Sequence, residues 1–394
     1  MKISRIGREI PPFIVMDVLE RAQELERQGE NIIHLEVGEP DFETPKCIRE
    51  RALEALRKGV THYTHSLGTY NLRCEIARYY NEGYRLGVKV KPENVIVTSG
   101  TSPALLLIFG AILDRNDEVV ISNPHYPCYP NFIKFVGGKP KFVFVREEEG
   151  FQLNPEKVKE AITKRTSAIL INSPANPTGN LLPSHWMEEI ASLGIPVISD
   201  EIYHGLVYEG EARSILEFAE KGRELIVLNG FSKLFAMTGW RLGYIIATED
   251  LIRPIQKMIQ NFFISPNAFV QEAAIAALNE CKKETEEMRR TYDERRRFMI
   301  KRLREIGFGI TVEPTGAFYV FANAKKFTKD SYKLAFEILE KAKVGVTPGI
   351  DFGSGGEGYI RFSYANSLDN IKEGLARIER FLNQRRAVIA ACAK

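Results

Sequence analysis

Asn94-Val95-Ile96-Val97, Glu118-Val119-Val120-Ile121, Lys141-Phe142-Val143-Phe144-Val145, Ala168-Ile169-Leu170-Ile171, Pro196-Val197-Ile198, Leu225-Ile226-Val227-Leu228 and Gly243-Tyr244-Ile245-Ile246 are seven short runs of aliphatic and aromatic residues. Helical patterns separate them, and most are ended by Ser, Asn, Gly or Asp. Uninterrupted apolar runs of this length suit strands buried on both faces. Their alternation with helices calls for crossover connections, hence a mainly parallel sheet with helices on either side. Residues 95–246 therefore predict a seven-stranded α/β unit.

Beyond residue 280 the pattern changes. Cys281 to Arg304 is highly charged, with apolar residues at Met288, Tyr292, Phe298, Met299 and Leu303, and predicts a long helix exposed on one side. Gly316-Ala317-Phe318-Tyr319-Val320-Phe321 predicts a further strand, and Leu368 to Arg385 a charged amphipathic helix. Residues 387–394 are Ala-rich and read as helix continuation or a tail. The expected division is an N-terminal segment (1–40) packing with the small domain, a large domain (41–280), and a smaller α+β domain (281–394) entered by the long helix.

The chain has 394 residues, 44% hydrophobic and 27% charged, a balance that excludes wholesale disorder. Lys+Arg 54 against Asp+Glu 51 leaves a formal charge of +3, which gives no electrostatic case for nucleic acid or a membrane surface as partner. The longest apolar stretch, Ala104 to Leu113, is too short to span a bilayer. The N-terminus shows basic residues without the apolar stretch of a secretory signal. Five scattered cysteines without a C-x-x-C pair argue against a disulfide framework or a zinc site. A cytoplasmic protein is the expectation.

In open parallel sheets, ligands bind at the carboxyl ends of the strands. After the first strand comes Ser99-Gly100-Thr101-Ser102-Pro103. Ser102 reads as an N-cap and Pro103 as the first helical residue, so Gly100, Thr101 and Ser102 would meet an anion at a helix N-terminus. After the fourth comes Asn172-Ser173-Pro174-Ala175-Asn176-Pro177-Thr178-Gly179, a rigid turn that fixes Asn176. After the fifth comes Asp200-Glu201-Ile202-Tyr203, where the carboxylate is either a helix cap or a functional group. After the sixth comes Asn229-Gly230-Phe231-Ser232-Lys233-Leu234-Phe235-Ala236-Met237-Thr238-Gly239-Trp240-Arg241. Lys233 among apolar and small neighbours is poor company for a solvated ammonium, and a partly buried lysine is the kind that becomes a nucleophile.

Together these motifs resemble the class I/II aminotransferases, pyridoxal-phosphate enzymes of fold type I. The resemblance runs from Val37-Gly38-Glu39-Pro40-Asp41-Phe42 to Tyr359-Ile360-Arg361-Phe362-Ser363-Tyr364, and Ser232-Lys233 with Arg241 eight residues later is its most specific part. It implies pyridoxal 5′-phosphate held covalently by the Lys233 amine, which also serves as the base. Asp200 would pair with the pyridine nitrogen, while Asn176 and Tyr203 would donate to the phenolate oxygen. Tyr126 would stack on the ring. Arg241, with Gly100, Thr101, Ser102 and Ser232, would hold the phosphate. Gly230 departs from the hydroxyl residue of many relatives. Tyr63 would reach the phosphate of the neighbouring subunit, implying a homodimer with shared active sites. Arg361 would take the substrate α-carboxylate, with Gly38 and Asn176 beside it. His62, His65, His125 and His204 read as second-row or surface residues, with no metal spacing.

The implied activity is transfer of an α-amino group between an amino acid and a 2-oxo acid, with 2-oxoglutarate one acceptor. Pro12-Phe13-Ile14 and Asn261-Phe262-Phe263-Ile264-Ser265-Pro266-Asn267 fall where relatives border the side-chain pocket. Both are apolar, so a broad or aromatic/neutral donor preference is expected, because burying an unpaired carboxylate is expensive. The alternatives are an aspartate-specific aminotransferase and a carbon-sulfur lyase or synthase on the same scaffold. A regulatory protein that keeps the cofactor without turnover would need an added DNA-binding domain.

Overall fold

The computed structural model describes residues 1–220 and 222–392, with side chains described through residue 387. A two-residue strand β1 (Ile33–His34) precedes the seven expected ones: β2 (Val95–Thr98), β3 (Glu118–Asn123), β4 (Lys139–Phe144), β5 (Thr166–Asn172), β6 (Val197–Asp200), β7 (Leu225–Gly230) and β8 (Gly243–Ile246). These seven form one sheet in the order β2-β8-β7-β6-β5-β3-β4. The pairs β3–β4, β3–β5, β5–β6 and β6–β7 are parallel, whereas β8 runs antiparallel to both β7 and β2. β2, β6, β7 and β8 are buried along their whole length, as apolar runs require. One core lies on each face of the sheet, one around Ile76, Val97 and Val227, the other around Ile108, Ile198 and Ile245.

The long helix Lys282–Ile306 leads into β9 (Tyr319–Asn323), β10 (Val344–Gly345), β11 (Thr347–Pro348) and β12 (Tyr359–Ser363). β11, β12 and β9 make an antiparallel sheet, and β1 pairs with β10 in parallel, which ties the N-terminal segment to the C-terminal part. The last helix spans Leu368–Cys392, so the Ala-rich end continues the helix as far as residue 392, and residues 393–394 lie outside the described residues. Helix Ile14–Arg27 packs Val18, Ala22 and Leu25 against Ile32 and Leu339. Among the described residues no helix is long and apolar enough to cross a membrane.

One local expectation is corrected. The helix after β2 starts at Thr101 with Gly100 as its N-cap, so Ser102 is not the cap and Pro103 is not the first helical residue. Gly100 has φ +103, a conformation that glycine adopts without a Cβ penalty. A Cβ there would also stand 2.7 Å from Arg241 Nη2. Starting earlier directs the N–H groups of Thr101 and Ser102 to the end of the helix, where no preceding turn can use them.

Candidate active site

At the carboxyl ends of β2, β5, β6 and β7 opens a cavity of about 540 Å³. Its wall holds Gly38, Thr101, Ser102, Tyr126, Asn176, Asp200, Tyr203, Ser232, Lys233, Arg241 and Arg361, residues spread over more than 320 positions of sequence. Gly100 stands one row behind, against the Arg241 guanidinium. Tyr63 is not in the wall: it is 81% exposed, next to Thr64, whose N–H donates to Ser265 Oγ at 3.2 Å. The segment Asn261–Asn267 does not border this chain's cavity either, which corrects that expectation. Its place is beside Tyr63 and Thr64, with Phe262 66% exposed.

Two arginines, Arg241 and Arg361, stand in the cavity wall in different surroundings. Arg241 lies beside the first turn of helix Thr101–Ile112, combining a guanidinium with the positive end of a helix. Arg241 itself has φ +54, and its Nη1 donates to Thr238 O at 2.9 Å. Gly230 is explained by packing: a Cβ there would meet Leu242 O at 3.0 Å across the β7–β8 pair, and Ser232 supplies a hydroxyl to the cavity instead.

Asp200 closes β6. Its Oδ2 accepts from Tyr129 OH at 2.6 Å and its Oδ1 from Ile202 N at 3.2 Å, and a turn rather than a helix follows it, so it is not a helix cap. Burial raises its pKa to about 6, opposed by those hydrogen bonds and by the charge of Lys233. Lys233 Nζ donates to Gly38 O at 2.7 Å. Enclosure lowers its pKa to about 8; Glu39 opposes this, and Arg361 and Arg241 reinforce it. Tyr203 OH is 2.9 Å from Tyr319 OH.

Arg361, 3% exposed, sits on β12. Nη1 donates to Asn176 Oδ1 at 3.0 Å, and Nη2 to Glu36 O at 2.6 Å and Thr347 Oγ1 at 3.2 Å. Tyr319 and Phe352 flank the guanidinium, with Cζ 4.2 and 4.9 Å from their ring centres. Its buried Nε has no partner among the described residues. An unmatched buried N–H is costly until a ligand accepts from it. Gly38 is required by contact, since a Cβ would run into the Tyr319 hydroxyl.

Sequence reasoning missed Tyr129, Asn172 and Tyr319. The Tyr126-x-x-Tyr129 spacing, one turn apart, was the available signal for the first. Asn172 donates to Asp200 O at 3.0 Å and accepts from Asn176 N at 2.8 Å, so it braces both neighbours. Tyr319 had no local signal beyond its strand.

Residues 30–378 match the model of the family described as aminotransferase class I and II. The chain belongs to that family. The aminotransferase is 46% identical over 374 residues to a (5-formylfuran-3-yl)methyl phosphate transaminase from Methanocaldococcus jannaschii, covering 94% of this chain and 97% of the relative. It is 38% identical to aromatic-amino-acid aminotransferase 2 of Thermococcus litoralis, over 91% of this chain and 94% of that one. The solved aspartate aminotransferase from Thermus thermophilus with maleate superposes with a TM-score of 0.92 at 37% identity, covering 97% of this chain and all of that one. The protein is accordingly a pyridoxal 5′-phosphate-dependent amino acid aminotransferase of fold type I.

The residues present fit that cofactor. The guanidinium and helix N-terminus suit a phosphate dianion, the buried Asp200 carboxylate suits a protonated ring nitrogen, and a lysine of lowered pKa lines the same cavity.

Proposed function

We propose that the enzyme moves the α-amino group between a neutral or aromatic amino acid and a 2-oxo acid, with a broad donor range and 2-oxoglutarate as one acceptor. The observation that carries this reading is the distribution of charge in the cavity. The cations in its wall are Lys233, Arg241 and Arg361, and each has a task in the common chemistry. Phe13, Val15, Met16 and Leu19 also line the cavity, and they offer a donor side chain apolar surface and no guanidinium. A distal carboxylate buried there would be unpaired, at a cost of several kcal/mol by Born reasoning.

Pyridoxal phosphate, when bound, supplies the electron sink that lets a proton leave the substrate Cα. Arg361 binds the α-carboxylate, using its unmatched Nε–H, and Asn176 fixes the guanidinium from the side. Lys233 Nζ, whose charged form burial disfavours, would be the base for the Cα proton. Asp200 would hold the ring nitrogen protonated, Asn176 and Tyr203 would donate to the phenolate oxygen, and Tyr126 would lie against the ring. Arg241, Thr101, Ser102 and Ser232 hold the phosphate.

The active unit in this reading is a homodimer with Tyr63 of each chain completing the partner's phosphate site. Its exposure beside Phe262 (66%) and Ile264 (47%) supports this, because apolar side chains so exposed are covered in an interface. The division at residues 40 and 280 and a cytoplasmic location belong to the same proposal. The β1–β10 pairing and the helix starting at Lys282 support the division.

Steady-state kinetics over a donor panel tests the substrate reading. Phenylalanine, tyrosine or leucine should be used at a kcat/KM comparable with or above that of aspartate. A kcat/KM for aspartate far above all of them would refute it. A half-reaction with glutamate, followed by cofactor absorbance, separates transamination from lyase chemistry.

A further inference from the structure

Helix Ile14–Arg27 starts without a cap of its own. Phe13 occupies the N-cap position and offers no side-chain acceptor to the first-turn N–H groups. The acceptor comes from 337 positions away. Asp351 Oδ1 takes the Ile14 N–H at 2.9 Å, and Oδ2 takes the Val15 N–H at 3.2 Å. Asp351 is 9% exposed, and its carboxylate meets the positive end of the helix.

The neighbouring residue connects this cap to the substrate site. Phe352 is fully buried and flanks the Arg361 guanidinium. Its carbonyl accepts from His125 N at 3.0 Å, and Ile350 N donates to Ser331 Oγ at 3.1 Å, so the turn that carries Asp351 is held on both sides. The middle of the helix is fixed separately by Val18, Ala22 and Leu25 in their own small core. The polar attachment of the first turn is Asp351. Phe13, Val15, Met16 and Leu19, which that first turn and the next carry, form the apolar boundary of the cavity.

We infer that Asp351 is a specificity-determining positioning residue: its carboxylate fixes the first turn of helix Ile14–Arg27 so that Phe13, Val15, Met16 and Leu19 stand as a preformed wall for the donor side chain. This rests on the apolar-donor reading above. A wall ordered in advance spares a large donor the entropy of ordering it on binding, whereas alanine is too short to need it.

The test compares the wild-type holoenzyme with Asp351→Ala and Asp351→Asn. In Asp351→Ala the kcat/KM for phenylalanine should fall about tenfold or more, through KM rather than kcat, because two charge-assisted hydrogen bonds are lost. That for alanine should stay within about twofold, since the missing order lies beyond the reach of a methyl group. Asp351→Asn retains one acceptor and should lie between. Amide exchange at Ile14 and Val15 should speed up in the same order. Phenylalanine and alanine falling together, or exchange speeding up with phenylalanine kinetics unchanged, would overturn the inference. If Asp351→Ala does not accumulate as folded holoenzyme, the same ratio in Asp351→Asn decides. A wild-type enzyme whose kcat/KM for aspartate lies far above those for phenylalanine, tyrosine and leucine refutes the donor reading before any substitution is made, so the two failures are distinguishable.

Discussion

Replacing Tyr129 by Phe removes one hydroxyl from Asp200, the carboxylate we propose as partner of the cofactor's ring nitrogen. The bond is short, 2.6 Å, and both residues are buried. A buried hydrogen bond to a charged group contributes roughly 1.5–3 kcal/mol, which at 1.36 kcal/mol per unit is a pKa change of about 1–2 units. The sign follows from the charge it serves. Tyr129 stabilises ionised Asp200, whose pKa burial already raises to about 6, so its loss raises the value further, to roughly 7–8. Ionised Asp200 is the form that pairs with a protonated ring nitrogen. Cofactor affinity of the apoenzyme should therefore weaken below pH 6 in the wild type, and below roughly pH 7–8 in Tyr129→Phe, where affinity at pH 7 falls about two- to tenfold. At pH 9 the two proteins should bind alike. Fluorescence titration of apoenzyme with pyridoxal phosphate from pH 5 to 9 reads this directly. A loss of the same size at every pH would mean that Tyr129 only fills space, and unshifted curves would refute the charge argument.

Lys233→Ala should abolish transamination and leave the far-UV circular dichroism unchanged, because Nζ makes a single hydrogen bond, to Gly38 O; near wild-type turnover would remove the assignment. Asp200→Asn should still take up the cofactor, though more weakly, as the protonated wild type does, and should lower kcat by about a hundredfold or more, since roughly 3 kcal/mol of charge-assisted bonding is at stake; a few-fold loss would count against Asp200 as the ring-nitrogen partner. Glu201, fully buried, has its pKa raised to about 8 by burial despite hydrogen bonds from Tyr80, Ser214 and Ile215. A folded pKa above the unfolded value gives stability that is full below about pH 4.5 and lost as pH rises through about 8, so Glu201→Gln should flatten urea stability between those limits by up to about 5 kcal/mol. Parallel stability curves for the two proteins would rule that out.

Six of the seven apolar runs were legible because a strand buried on both faces is apolar along its length; the seventh, β4, is corrected to an edge strand that leaves Phe142 and Phe144 exposed. Lys233, Asp200, Asn176 and Arg241 were legible for a related reason: a parallel sheet delivers the residues after its strands to one edge. Local sequence carries both facts. It does not carry strand order, so the antiparallel β8 between β2 and β7 appears only in the fold. Nor does it carry partnerships across long separations. Tyr129 reaches Asp200 across 71 positions, Tyr319 reaches Tyr203 across 116, and Asp351 caps Ile14 across 337. Such pairs leave no periodicity in the chain. Even the helix start at Gly100 was misread from Ser102 and Pro103, because what fixes it is the Arg241 guanidinium folded against a glycine 141 residues earlier. The sequence specified which polar side chains the fold gathers around one cavity; close packing in three dimensions decided which hydrogen bonds they make and which apolar turn bounds that cavity.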